Sequence, residues 1–198
     1  WREYSMKHSM PGTWHFYCED FKFDQLWSDP RGPLYSNPKN CIEINYSAGE
    51  QTARANVMGL TFKKRWISRW WQSRGVCIFV DLNCDPRHQY INLIGVPKGW
   101  RAWATRSYFD GIPFVYDQFE LAEEHAGTDD ILFLVAGGGN DTKEAAKEEG
   151  WIWFPLDMDV YRRDGEKMPS RKKPDVFLEE YTKRQKEAMV TSDAERQD

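Results

Sequence analysis

Four aspartates, Asp20, Asp81, Asp157 and Asp159, each follow a short apolar run, and carboxylate oxygens of this kind are what hard cations take. Brought together they would hold magnesium for phosphoryl or phosphodiester chemistry, with Asp20 and Asp81 as the candidate catalytic pair. A second candidate is Gly137-Gly138-Gly139-Asn140-Asp141, which follows an apolar run and opens a helical segment. Glycines there admit a ligand close to the backbone, and the helix behind offers unpaired N–H groups to an anion. The stretch has neither a Walker lysine-serine nor a GxGxxG pattern, so no named nucleotide fold follows. Asn140 or Asp141 as a simple N-cap, with the glycines making a tight turn, is the plainer reading. The third candidate is cationic. Residues 63–72 read KKRWISRWWQ, four cations and three tryptophans, which suits either a grip on nucleic acid or a buried helix rimmed by charge.

Charge is unevenly spread around that motif. The 198-residue chain has a formal net charge of −4, yet residues 51–107 carry ten cations against only Asp81 and Asp85. Such polarity either presents a basic face to an anionic partner or is neutralised within the fold. On the first alternative Arg65, Arg69, Lys98, Arg101 and Arg106 contact phosphate, while Trp100 and Trp103 stack on bases. Other chemistries find little support. His8, His15, His88 and His125 form no HxH or HExxH pattern, no GxSxG elbow exists, and no Cys–His pair is evident. Cys18, Cys41, Cys77 and Cys84 are scattered without a CxxC, which predicts reduced thiols. No apolar run approaches the roughly 18 residues of a membrane span, and the start lacks a signal-peptide pattern.

The elements that must position these residues alternate. Extended runs are predicted at 13–19, 41–47, 76–83, over YINLIGVP, over RAWATRSYF, at 131–139 and at 151–156. Helices are predicted over FKFDQLW, within 49–73, over PFVYDQFELAEEHAG and behind the triple glycine. RGPLYSNPKN reads as a loop. The alternation predicts an α/β fold with a mostly parallel sheet, in one form an incomplete or irregular barrel. Residues 1–160 form the expected single domain, and 161–198 a charged extension with a helix over Val176–Met189. In a parallel sheet ligands gather beyond the carboxyl ends of strands. That rule selects Glu19, Asp20, Asn45, Ser47, Asp81, Asn83, Arg106, Ser107, the triple glycine and Asp157 with Asp159, all on one rim.

On a helical projection Leu60, Ile67 and Trp71 share a side, with Trp70 at its edge and Lys63, Lys64 and Arg74 bordering it. Arg65 and Arg69 form a row on roughly the opposite side, and Trp66 lies between. Most of the tryptophans are therefore expected in packing.

The run RWISRWWQSRGVCIFVDLN, followed by GVPKGWRAWATRS, resembles the family called domain of unknown function 4417. The matching positions are Arg65-Trp66, Trp70-Trp71-Gln72, Gly75, Gly95-Val96-Pro97-Lys98 and Thr105, and WHFYCEDFKFDQLWSDP is similar to the family's opening. The resemblance spans roughly residues 13–140. Val80-Asp81-Leu82-Asn83 departs from it where a Pro and a Trp are expected. It implies a phage or mobile-element setting and transfers no mechanism; the reduced thiols, in that setting, place the expected location in the cytoplasm of a bacterial host. The leading expectation is binding of a nucleic acid or other phosphate-bearing ligand through the basic central segment. The alternatives are a metal-dependent enzyme on a nucleotide or phosphodiester, using Asp20, Asp81 and the glycine loop, and a module that targets a host protein through its acidic portion.

Overall fold

A computed structural model describes residues 12–108 and 111–156, all within one compact unit, Trp1–Asp159. The expected extension 161–198, its Val176–Met189 helix, Asp157 and Asp159 lie outside the described residues.

Six strands pair side by side in chain order: β1 (Thr13–Trp14), β2 (Asn40–Ile42), β3 (Cys77–Asp81), β4 (Ala102–Ser107), β5 (Leu132–Gly137) and β6 (Ile152–Phe154). Every neighbouring pair is parallel. The sheet curls into a half-barrel, far enough that the rings of His15 and Phe154, from opposite edges, stand 5.3 Å apart. Four α-helices occur among the described residues: α1 (Arg54–Gln72), α2 (Gln89–Asn92), α3 (Ile112–Ala126) and α4 (Gly139–Glu148). The expected α/β architecture and incomplete barrel are thus present.

Alternation along the strands separates two faces. Val80, Trp103, Phe133 and Val135 pack with Val115 and Ala122 of α3 and with Ala145 and Ala146 of α4. Ile78 joins Phe16, Cys41 and the α1 residues Ile67 and Trp71. The opposite face gathers Tyr17, Ile42, Phe79, Ala104, Leu134 and Ala136, with no helix residue among them. Helix α1 buries Val57, Thr61, Lys64, Ile67, Ser68 and Trp71, a stripe of helical period. Trp71 stacks on Phe16 at 5.4 Å and donates its indole N–H to the Pro30 carbonyl at 2.8 Å.

Five local expectations are corrected. YINLIGVP is not extended: Asp85 accepts the Arg87 N–H and opens a 3₁₀ turn, Pro86–His88, that runs into α2. With β3 pairing directly to β4, the sheet holds no strand between them. FKFDQLW folds as two 3₁₀ turns, Asp20–Lys22 and Asp24–Trp27, and RGPLYSNPKN contains a third, Gly32–Ser36. The first strand is shorter than 13–19, since pairing stops after Trp14. Finally, neither Asn140 nor Asp141 caps α4. Gly138, at φ 82°, holds that position, and both residues sit inside the first turn.

Candidate functional site

Because every strand runs the same way, the carboxyl ends share one rim, and there Asp20 meets Ser47 while Asn45, Asp81 and Asn83 meet one another. Asp20 accepts the Ser47 N–H at 3.0 Å and the Ser47 hydroxyl at 2.9 Å. The Asn45 amide donates to Asp81 Oδ2 at 2.9 Å and to the Asn83 carbonyl at 2.7 Å, while the Asn83 amide returns a bond to Asn45 Oδ1 at 3.1 Å. Tyr17 donates to Asp81 Oδ1 at 3.0 Å. Ser107 and Thr142 share a hydrogen bond of 2.9 Å behind the glycine turn.

Asp81 is the hub, 0% exposed at the end of β3. Lys64 reaches it from the buried stripe of α1, with Nζ 3.7 Å from Oδ2 and 3.2 Å from the Asp81 carbonyl oxygen. Burial pulls the Lys64 ammonium below the ordinary lysine range, against the attraction of Asp81. Burial likewise pushes the Asp81 carboxyl above the ordinary carboxylate range, opposed by Lys64 and the bonds from Asn45, Asn83 and Tyr17. The Tyr17 phenol is raised well above its usual value by burial and then by Asp81. Both oxygens of Asp81 are therefore engaged, and its role is to orient Tyr17, Asn45 and Asn83.

That occupancy bears on the expected catalytic pair. Asp20 anchors the loop bearing Ser47, and Asp81 is sealed beneath its partners. Among the described residues no group of three or more His, Cys, Asp or Glu side chains is arranged to hold a metal ion. Burial pushes the Cys84 thiol up to about 12.

Over this network lies an open cleft of about 350 Å³, bounded by Asn45, Ser47, Asn83, Cys84, Tyr108 and Phe114 among others. Its size falls within the range of small-ligand pockets. Arg106 is not among the lining residues and reaches the cleft only through Tyr108. Asp81 pairs in register with Ala104, so by alternation Arg106 lies on the helix-free face two residues nearer the rim. Its guanidinium stacks 4.9 Å from the Tyr108 ring centroid, and its Nε is buried without a hydrogen-bond partner.

The remaining cations disperse. Arg65 is locked by Glu43, by the Asn92 carbonyl and by the Ile94 carbonyl at 3.2 Å, so it is a structural tie rather than a free phosphate contact. Arg69 is exposed and donates to Gln72 Oε1 at 3.1 Å. Lys98 and Arg101 precede β4, at the amino end of the sheet, and Arg101 pairs with Asp130 at 2.7 Å. Trp103 is 0% exposed and packs in the core with its N–H on the Trp100 carbonyl, so it presents no face for a base. Trp100 is half-buried and donates to the Ala102 carbonyl. Trp66, at 42% exposure, instead follows exposed Met58 and Phe62 at four-residue spacing on an outer ridge of α1, where Trp27 packs edge-on against the Phe62 and Trp66 rings. Gly137 offers its carbonyl to the Trp153 indole, and Gly138 packs against Ser107 and Thr142. The glycine turn is thus a tight crossing of backbone over side chains, and Gly139 and Asn140 begin α4.

Sequence reasoning overlooked Tyr17, Lys64, Tyr108 and Glu43. Tyr17 and Tyr108 stand just past strands β1 and β4, where the strand-end rule applied to aromatics would have reached them. Lys64 lies seven before Trp71 and seven after Val57, inside the apolar stripe, and that placement was the available signal.

A family model described as "Domain of unknown function (DUF4417)" matches residues 2–106. It starts before the span read from the motifs and stops at Arg106, short of β5 and the glycine turn. The "Gene 1 protein" of Mycobacterium phage D29 is 27% identical over 67 residues, 33% of this chain and 25% of that protein. The "Gene 1 protein" of Mycobacterium phage L5 is 26% identical over 77 residues, 38% of this chain and 33% of that protein. The chain is thus related to phage-encoded proteins, and its match spans a quarter to a third of their length. No solved structure matches. No helix among the described residues is long and apolar enough to cross a membrane.

Proposed function

The chain belongs to the family described as Domain of unknown function (DUF4417), and from that premise, which carries no stated chemistry, we propose that it binds a small phosphate-bearing ligand at the carboxyl-end rim of its half-barrel. One observation carries this reading: the buried, unpartnered Nε of Arg106, whose guanidinium stacks on Tyr108, a residue that lines the strand-end cleft. An unpaired buried donor on a cation is costly, and guanidinium presents Nε and Nη as a fork that fits two oxygens of a phosphate. Stacking on Tyr108 fixes the plane of that fork. The Asp81 network holds Asn45 and Asn83 rigidly along the cleft wall, so the ligand's uncharged part meets an organised surface. A nucleotide-sized ligand is favoured over an extended nucleic acid, because the cations of residues 51–107 do not form a continuous track. Arg65 is tied internally, and Lys98 and Arg101 sit at the opposite end of the sheet.

Calorimetric titration tests it. Nucleoside 5′-monophosphates should bind while the parent nucleosides do not, and Arg106→Leu should weaken binding roughly tenfold to a hundredfold, as loss of a charged hydrogen bond does. Absence of phosphate-dependent binding would defeat the proposal. So would tight single-stranded DNA binding that falls steeply with salt and is indifferent to Arg106.

A further inference from the structure

A second cavity, of about 310 Å³, opens between α1 and β3. Residues 65, 68, 69 and 72 of α1 line it at helical spacing, over a floor of Ile78 and Val80, with the loop through Val96, Pro97 and Trp100 opposite. The segments that carry the family resemblance therefore meet across one space. Gly95 stands at φ 82°, and a Cβ there would meet Arg65 Cγ at 3.7 Å, so this loop passes close over the immobilised arginine.

The polar groups of the cavity are unequally satisfied. Arg65 and Glu43 hold each other, and Glu43 also accepts the Asp81 N–H. Ser68 is 3% exposed, yet its hydroxyl has no hydrogen-bond partner. A helical serine ordinarily bonds back to the preceding turn, so a bare hydroxyl here, with a cost of about 1–3 kcal/mol if left dry, calls for a partner in the cavity. At the mouth, Arg69 makes no ion pair among the described residues. Its bond to Gln72 Oε1 takes the amide's acceptor and leaves the amide's donor end free to face a ligand.

We infer that this cavity is a distinct site for a small molecule with an apolar body and one oxyanion head. The head lies on Arg69 and Gln72, the body rests on Ile78, Val80, Val96 and Pro97 beside Trp100, and Ser68 meets a polar atom of the body. The site uses none of the groups at Arg106.

The test uses 8-anilinonaphthalene-1-sulfonate as a fluorescent apolar anion, competed with hexanoate and with hexanol. Expected results are saturable binding, displacement by hexanoate at least tenfold more effective than by hexanol, and a loss of roughly tenfold in probe affinity in Arg69→Gln, an exposed position. Ser68→Leu, which fills the cavity, should abolish binding, and Arg106→Leu should leave it unchanged. The inference is overturned if no binding occurs or if Arg69→Gln binds as well as the parent chain. It is equally overturned if Phe62→Ser removes the signal, which would place the probe on the exposed ridge of Met58, Phe62 and Trp66.

Discussion

Replacing Asp81 by Asn tests whether the rim is organised by a buried ion pair. The change keeps the shape of the side chain and one carbonyl acceptor but removes the charge opposite Lys64. Both groups are almost wholly enclosed, with 0% and 7% of the side chains exposed. At 3.7 Å, and with an effective dielectric of about 20, their attraction is about 4.5 kcal/mol. Desolvation offsets much of this, but removing one partner strands the other, at a typical cost of about 3–5 kcal/mol. Asp81→Asn should therefore lower urea-unfolding stability by about that amount with an unchanged denaturant slope. Lys64→Met should also destabilise, and with a diagnostic pH dependence. Asp81 then keeps a carboxyl raised by burial with its cation gone. The stability linked to its protonation is fully present below the usual carboxylate value and is lost as pH rises through the raised folded value. The double variant should show a coupling of about 2 kcal/mol or more relative to the summed single losses. Additive losses, or a cost below about 1 kcal/mol for Asp81→Asn, would refute the buried pair and with it the rigidity assigned to Asn45 and Asn83.

Gly138→Ala should cost about 2–4 kcal/mol in the same assay, because an added Cβ at φ 82° overlaps the hydroxyls of Ser107 and Thr142. Trp103→Ala should cost about 3–5 kcal/mol as a core truncation while leaving phosphate affinity of the folded protein within about twofold, whereas a stacking role predicts weakened oligonucleotide binding without that loss. Asp85 is held down at about 2, chiefly by its hydrogen bond from Arg87. The stability it contributes is present above the usual carboxylate value and is lost as pH falls through about 2. Solvent screening keeps the effect to about 1 kcal/mol or less, and urea midpoints between pH 5 and 2 should lose that component in Asp85→Asn.

The parallel sheet was legible because its strands are short β-branched runs separated by helical patterns, and the strand-end rule brought Asn45, Asp81 and Asn83 to one rim before any coordinates. What stayed hidden was the fate of individual polar side chains. In Lys63-Lys64-Arg65 three adjacent cations take three environments: Lys63 lies 5.6 Å from the Trp27 ring, Lys64 goes inward to Asp81, and Arg65 closes on Glu43. Periodicity places Lys64 near the apolar stripe, but the carboxylate that makes its burial tolerable comes from a strand 17 residues away. Asp81 misled in the same way, since a strand-end aspartate reads alike whether it faces ligand or is sealed by Tyr17 and Lys64. YINLIGVP failed for a local reason: its apolar content suits a strand, but the Asp85 cap and Pro86 start a helical turn.

Phosphate binding at Arg106 is read most directly from its Nε–H resonance in protein labelled with ¹⁵N-arginine while inorganic phosphate, and then a nucleoside 5′-monophosphate, is titrated in. A saturable downfield shift of that signal is expected, absent in Arg106→Leu and larger than the response of the internally bonded Arg65. An Arg106 signal that stays fixed while other arginines titrate, or while none does, would contradict phosphate binding there.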